Sequence, residues 1–266
     1  AVTEVFKQLL CFFMDGTSRH LVHFDVLKED PGYAAAIETD PNRMQSSHAV
    51  KRFLGGFSWF RIWLFRRLLL KLFIWRLKLA QPDVVQLGMD TMVMDNDEAE
   101  KRHGVQPTYK KVKGFKPFFI TWDRFIIDAV FRGGKKHCNN GDTAAQALRH
   151  VVAKIRAEYR ADVAIVLRND SGFFDQKLFN VWEEELGIGY VSAGKIYDDV
   201  KEYVTHGCQE HWQTYRNGKQ TWQYLEMGSR REEWSKFRRA IFTHLVHGDD
   251  GQMLLDFARP TFILYT

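Results

Sequence analysis

The chain has 266 residues, enough to bury a sizeable core in one large domain or in two to three smaller ones. Hydrophobic residues at 45% and charged residues at 27% argue against global disorder, and three widely spaced cysteines, none in a CxxC pair, argue against a zinc ribbon or a disulfide framework. The formal charge of +5 fits a polyanionic partner, although many basic proteins bind no nucleic acid.

Residues 1–80 are predicted to be helical, because apolar residues recur there at helical spacing and strand-like alternation is scarce. The stretch 57–79 is rich in Phe, Trp and Leu and resembles a membrane span. Basic residues interrupt it, so no run of about 18 apolar residues remains. We predict a packed helix with solvated or DNA-facing basic side chains; a helix bound to a membrane surface is the less favoured alternative.

The pattern changes after residue 80 to alternating strands and helices. The predicted elements are, in order, a long strand over 84–94, a hairpin of 118–122 with 125–131, a helix capped by Asp142 or Thr143, a strand over 163–167, a helix through 178–186 and a short strand over 189–192. The run 163–167 is apolar without alternation, which predicts a strand covered on both faces.

Residues 195–266 are predicted to form a β-rich module, with short strands at 221–225, 239–246, 252–257 and 261–266. The predicted organisation is therefore a helical N-terminal domain of DNA-binding type over 1–80, an α/β core over 81–194 and a β-rich segment over 195–266.

Two aspartates occupy positions that suit metal chemistry. Asp90 lies inside the first predicted strand and Asp170 just beyond the fourth, so the two carboxylates converge if these strands are neighbours. A divalent cation relieves the repulsion between such carboxylates, and a metal pair can activate a water or a 3′-hydroxyl towards a phosphodiester. The alternative is structural, since an Asp after a strand is commonly a turn former or a helix cap.

Four stretches around these aspartates follow a known pattern. Asp90–Val93 resembles a "D-T/S-T-V" strand, 109–117 a basic "Y-N-x-K-x-x-G" stretch, 131–141 an "R-x-G-N-x-H-x-x-N-G" stretch, and 167–174 the more specific "L-R-x-D-S-G-F". Residues 47–57 are also similar to an "S-T-x-x-R-F-L" helix. These are motifs of bacterial insertion-sequence DDE transposases, which the chain resembles over essentially its whole length.

The resemblance implies an RNase H-like mixed sheet with a helical N-terminal domain and a β-rich insertion. It implies metal-dependent cleavage and strand transfer at the terminal inverted repeats of an insertion sequence, with Asp90 and Asp170 binding Mg²⁺ or Mn²⁺. The implied partner is double-stranded DNA, bound by a homodimer in the bacterial cytoplasm at the nucleoid, with no membrane involved. The residues expected to contact DNA are Lys110, Lys111, Lys113, Lys116, Arg132, Lys135 and Lys136.

The sequence departs from the family pattern in two ways. Lys135 and Lys136 stand where the family has Asn, and the family's third acid, a Glu in a helical Tyr-x2-Arg-x3-Glu signature, has no counterpart among the 266 residues. We expect that acid to lie beyond residue 266, leaving this chain inactive by itself. A non-catalytic DNA-binding remnant of a transposase is the alternative.

Overall fold

The computed structural model describes residues 2–18, 20–97, 104–206, 209–255 and 259–266. It divides into two compact units, Ala1–Phe65 and Arg66–Thr266. The helices are α1 (Val2–Asp15), α2 (Phe24–Lys28), α3 (Pro31–Ala36), α4 (Ser47–Gly55), α5 (Trp59–Ala80), α6 (Thr143–Glu158), α7 (Gln176–Asn180) and α8 (Asp198–His206). No described helix is both long and apolar enough to cross a membrane.

The first unit is helical, as the spacing of its apolar residues predicts. Asp30 caps α3 by accepting the N–H groups of Gly32 and Tyr33, and Ser46 caps α4 by accepting that of Ala49. The apolar faces of these helices meet in one small core, made of Val5, Leu9, Phe12, Phe24, Leu27, Ala34, Met44 and Val50.

The second unit is built on a nine-stranded mixed sheet with a smaller sheet beside it. The strands are β1 (Val84–Thr91), β2 (Met94–Asp95), β3 (Gln106–Pro107), β4 (Lys113–Phe115), β5 (Phe118–Trp122), β6 (Phe125–Val130), β7 (Ala164–Asn169), β8 (Gly189–Ala193), β9 (Gln213–Asn217), β10 (Gln220–Ser229), β11 (Arg238–His247) and β12 (Thr261–Tyr265). The order in the large sheet is β6-β5-β1-β7-β8-β12-β11-β10-β9.

The first five strands of this sheet have the arrangement that the sequence predicts. Across the sheet they lie in the order β6, β5, β1, β7 and β8, which are the third, second, first, fourth and fifth of these strands along the chain. Strands β1, β7 and β8 are parallel, and β5 is antiparallel to β1. This is the RNase H-like mixed sheet. Strand β12 then pairs antiparallel with β8, so β9–β12 extend the same sheet.

One face of the sheet is covered by helices. The predicted apolar face of α6 is buried, and buried residues of α5 and α7 lie in the same cluster with Leu87 and Leu167. Arg66 of α5 adds a two-pronged ion pair to the buried Asp128 of β6, with both N–O distances at 2.7 Å. These contacts fix α5 and α6 on the Leu87 side.

The prediction that β7 is covered on both faces is wrong. Val163, Ile165 and Leu167 are buried. The residues between them are not, since Ala164 is exposed and Val166 is only half-buried. The described helices that share the core lie on one side, so the opposite side of β1 and β7 remains open. Because Ala164 and Val166 on that open side are also apolar, the sequence shows no alternation of apolar and polar residues there.

Three other elements differ from the prediction. The strand predicted over 84–94 is interrupted after Thr91, and Met94–Asp95 pairs with β4 in the smaller sheet instead. Residues 198–206 form α8, which the sequence did not indicate. In place of the strand predicted at 252–257, the described part has an isolated bridge from Met253 to His247, and residues 256–258 lie outside the described ranges.

Candidate active site

Asp90 and Asp170 come from the carboxyl ends of two neighbouring parallel strands. The register of β1 with β7 pairs Leu87 with Leu167 and Met89 with Asn169. Asp90 and Asp170 are the next residues along each strand, so their backbones are separated by about one strand spacing, roughly 4.8 Å. The sequence expectation that their strands are neighbours is confirmed.

Both carboxylates belong to the open side of the sheet. Met89 and Asn169 are buried, whereas Asp90 and Asp170 are exposed. Successive side chains of an extended chain alternate between faces, and Asp170 keeps extended backbone angles, with φ −88° and ψ 176°. The register and the alternation therefore direct the two carboxylates to one solvent-accessible edge, where ligands of open α/β sheets commonly bind.

Each carboxylate uses one oxygen for a local hydrogen bond. Oδ1 of Asp90 accepts the N–H of Thr91 at 2.6 Å, and Oδ1 of Asp170 accepts the N–H of Gly172 at 3.0 Å. The second bond caps the short turn 171–173, which is the structural role that the sequence left open as the alternative. The other oxygen of each Asp makes no hydrogen bond to a described residue and can reach a cation.

The donor set fits a hard divalent cation in kind, since carboxylate oxygens are the ligands that Mg²⁺ and Mn²⁺ prefer. It is small in number. The described residues hold no group of three or more His, Cys, Asp or Glu side chains placed to share a metal ion. Of the acidic loop after Asp90, Asp95 and Asp97 are described and bond backbone N–H groups, while Glu98 and Glu100 lie outside the described residues.

The basic residues expected at DNA divide into an exposed and a buried group. Lys110, Lys111 and Lys113 are exposed on the loop and strand between β3 and β5, and Lys135 and Lys136 are exposed on the turn after β6. Lys116 and Arg132, in contrast, are each only 8% exposed.

The two buried cations lie next to Cys138, a residue that the sequence motifs did not single out. Nζ of Lys116 lies 3.5 Å from Sγ of Cys138, and Nη1 of Arg132 donates to the carbonyl of Cys138 at 2.8 Å. Burial lowers the pKa of Arg132, against the opposing influence of Cys138. The sequence signals for this cluster were the basic 109–117 stretch, which contains Lys116, and the "R-x-G-N-x-H-x-x-N-G" stretch, in which the cysteine position is unspecified.

The strand order is that of an RNase H-like mixed sheet, and two aspartates lie at the ends of its adjacent parallel strands. The sequence pattern of the family described as Transposase DDE domain group 1 matches residues 2–258. The chain belongs to this family of DDE transposases.

Other comparisons add little to the family assignment. No curated protein matches the chain. Among solved structures, it is similar to the cryo-EM structure of the piggyBac transposase synaptic complex with hairpin DNA, at 11% sequence identity and a TM-score of 0.35. The match covers 68% of this chain and 33% of that one, so the chain spans about a third of the length of this relative.

Proposed function

We propose that this protein cuts and joins DNA at the terminal inverted repeats of a bacterial insertion sequence, with Asp90 and Asp170 holding Mg²⁺ or Mn²⁺. The observation that carries the proposal is the register of β1 with β7. It puts each aspartate directly after the last paired residue of its strand, so that the two lie side by side on the open side of the sheet. A bound metal pair would activate the attacking oxygen and stabilise the leaving oxygen of a phosphodiester.

The chain's own residues have defined tasks in this proposal. The local hydrogen bonds from the N–H groups of Thr91 and Gly172 orient the two carboxylates, leaving Oδ2 of each for the cation. The open side of β1 and β7 leaves room for a DNA strand to approach the carboxylates. The exposed Lys110, Lys111 and Lys113, with Lys135 and Lys136, would hold phosphates and position the duplex.

Two carboxylates provide few fixed ligands for an ion that demands near-ideal octahedral coordination. Because no third metal-binding side chain joins them in the described part of the chain, we propose that a further acid completes the site. A helical domain over 1–80, a core over 81–194 and a β-rich insertion over 195–266 are part of this proposal, although the first compact unit of the structure ends at Phe65. A homodimer acting at the nucleoid is part of the same proposal.

The test is Mg²⁺-dependent nicking of labelled DNA that ends in the element's inverted repeats. We expect these 266 residues to nick poorly, and an extended polypeptide that supplies a further acid to nick efficiently. Asp170→Asn should reduce nicking by the extended chain about 100-fold or more, because charge stabilisation of the transition state is lost. Asp83→Asn, just before β1 at the opposite end of the strand, should leave nicking unchanged.

Three results would count against parts of this proposal. Equal nicking by the Asp170→Asn and unsubstituted extended chains would remove Asp170 from the site. Equal nicking by the short and extended chains would show that a carboxylate within 195–266 completes it. Salt-sensitive DNA binding without nicking by either chain would support the alternative, a non-catalytic DNA-binding remnant.

A further inference from the structure

The sulfur of Cys138 lies between the two segments that carry the candidate metal ligands. It is 3.7 Å from Oγ1 of Thr91, the residue after Asp90. It also faces Gly172, two residues after Asp170, so closely that a Cβ added to Gly172 would lie 2.7 Å from it. One buried side chain thus contacts both ends of the proposed site.

Cys138 is held firmly in this position. Nη1 of Arg132 donates to the carbonyls of His137 at 3.3 Å and of Cys138 at 2.8 Å, and its Nε donates to the carbonyl of Lys116 at 3.3 Å. The Lys116 ammonium then contacts the sulfur from a third direction, at 3.5 Å. Neither buried cation pairs with a carboxylate of a described residue. Besides the Cys138 segment they contact aromatic rings, Lys116 that of Tyr109 at 5.0 Å and Arg132 that of Phe118 at 5.3 Å.

Strand pairing brings the backbones of the two segments to about one strand spacing, but it does not fix the separation of the two carboxylates. The register of β1 with β7 ends at Met89 and Asn169, and Asp170 already begins a turn. Beyond the last paired residues, side-chain packing must set the separation. Packed interiors respond to changes of a single methylene, so the sulfur is suited to this task.

We propose that Cys138, clamped by Arg132 and Lys116, is a positioning residue that sets the spacing between Asp90 and Asp170. This inference rests on the proposed function, because it concerns the same metal site. Removing the sulfur lets the turn after Asp170 collapse towards Thr91. A methyl group added at Gly172 lies 2.7 Å from the sulfur and 3.1 Å from Oδ1 of Asp170, so it pushes that turn away and crowds the carboxylate. Both changes misplace a carboxylate, and a divalent cation held by few fixed oxygen ligands binds more weakly when one of them moves.

The test is a titration of the 266-residue protein with Mn²⁺, following the free ion by electron paramagnetic resonance. Cys138→Ala and Gly172→Ala should each weaken Mn²⁺ binding about tenfold. The double variant should bind more tightly than either single variant, because the added methyl group occupies the space left by the sulfur. Cys138→Ser, which keeps a side chain of similar size, should bind within about threefold of the wild type.

Two controls separate positioning from general damage. Gly189→Ala, on β8 of the same sheet, adds a methyl group at ordinary contact distance, 3.5 Å from Val166, and should leave Mn²⁺ binding unchanged. Thermal unfolding of every variant reports folding, and the expected recovery in the double variant cannot come from a variant that fails to fold.

The outcomes distinguish this inference from the function on which it rests. Mn²⁺ binding that survives Asp170→Asn overturns the proposed metal site, and the positioning role with it. Binding that is lost in Asp170→Asn but is unaffected by Cys138→Ala and Gly172→Ala overturns the positioning role alone. Strictly additive losses in the double variant also overturn it.

Discussion

At the scale of single residues, the structure separates lysines that sequence spacing groups together. Lys110, Lys111, Lys113 and Lys116 follow one another closely, yet the first three are exposed and the last is buried against Cys138. An exposed ammonium can neutralise a phosphate and release condensed counterions, which a buried one cannot do without a change in structure. We therefore propose DNA contact for the three exposed lysines and a local structural role for Lys116.

This assignment predicts the salt dependence of DNA binding. A triple variant, Lys110→Ala, Lys111→Asn and Lys113→Ala, should flatten the log–log salt slope by about one unit per lost phosphate contact. Asn is chosen at residue 111 because Lys111 has a φ of 62°, in the left-handed region, and Asn tolerates this conformation better than Ala does. Filter binding or fluorescence anisotropy at several salt concentrations measures the slope.

A charge-matched control removes lysines remote from the site. Lys154 and Lys201 pair with Glu158 and Asp198, and Lys219 lies in the turn between β9 and β10. Replacing these three with Ala should leave the slope close to that of the wild type. If both triple variants flatten the slope equally, net charge alone accounts for the effect and the cluster is ordinary solvated surface.

At the scale of elements, a buried ionic network joins β8, β11 and the π-helical turn 181–185. Glu183 in that turn accepts from Nε of Arg238 at 2.8 Å and from the hydroxyl of Tyr190 at 2.6 Å, and Lys236 lies 2.8 Å away. Burial by itself raises the pKa of Glu183, but the hydrogen bonds from Arg238, Lys236 and Tyr190 outweigh it and lower the pKa to about 2. The network fixes the β-rich strands to the core.

The lowered pKa predicts a loss of stability in acid. An unfolded Glu has the higher pKa of 4.5, so the contribution of Glu183 is complete above that pH and disappears as the pH falls towards about 2. Unfolding free energies measured in urea between pH 6 and pH 2 should fall less steeply in Glu183→Gln than in the wild type, although the variant starts from a lower value. Glu232→Gln, at an exposed position, should follow the wild-type curve, and a Glu183→Gln curve parallel to the wild type would contradict the account.

The elements also show how much of the fold can be predicted from the sequence. The hairpin of β5 with β6, the buried face of α6 and the positions of both aspartates followed from periodicity, turn residues and motifs. Helix α8 did not, because Val200 is its only buried residue and the apolar signal is correspondingly weak. The end of β1 was misplaced because the residues after Thr91 also favour a strand, and local preference does not reveal which sheet they join.

The contacts of Cys138 could not be predicted at all. Its neighbours Thr91, Lys116 and Gly172 lie 47, 22 and 34 residues away in sequence, and they come together only when β1, β5 and β7 pair. Motifs specify only some of the residues in a stretch, and the motif leaves this position unspecified. Three-dimensional packing, not the linear pattern, assigns its role.

At the scale of the whole molecule, we propose that Asp90 and Asp170, 80 positions apart in sequence, form one metal site on the open side of the sheet. The covered side supplies the stability, through α5, α6 and α7. The open side leaves the carboxyl ends of β1 and β7 accessible to a cation and to DNA. Everything proposed about cleavage depends on Asp90 and Asp170 sharing that cation.

The most direct measurement is cleavage of the protein backbone by iron bound at the proposed site. Fe²⁺ substitutes for Mg²⁺, and with ascorbate and peroxide it produces radicals that cut the nearest peptide bonds, which mass spectrometry locates. We expect two clusters of cuts, around residues 88–92 and 168–172, both suppressed by excess Mg²⁺ and both lost in Asp170→Asn. Cuts at only one of the two segments, or cuts at both that persist in Asp170→Asn, would contradict a shared metal site.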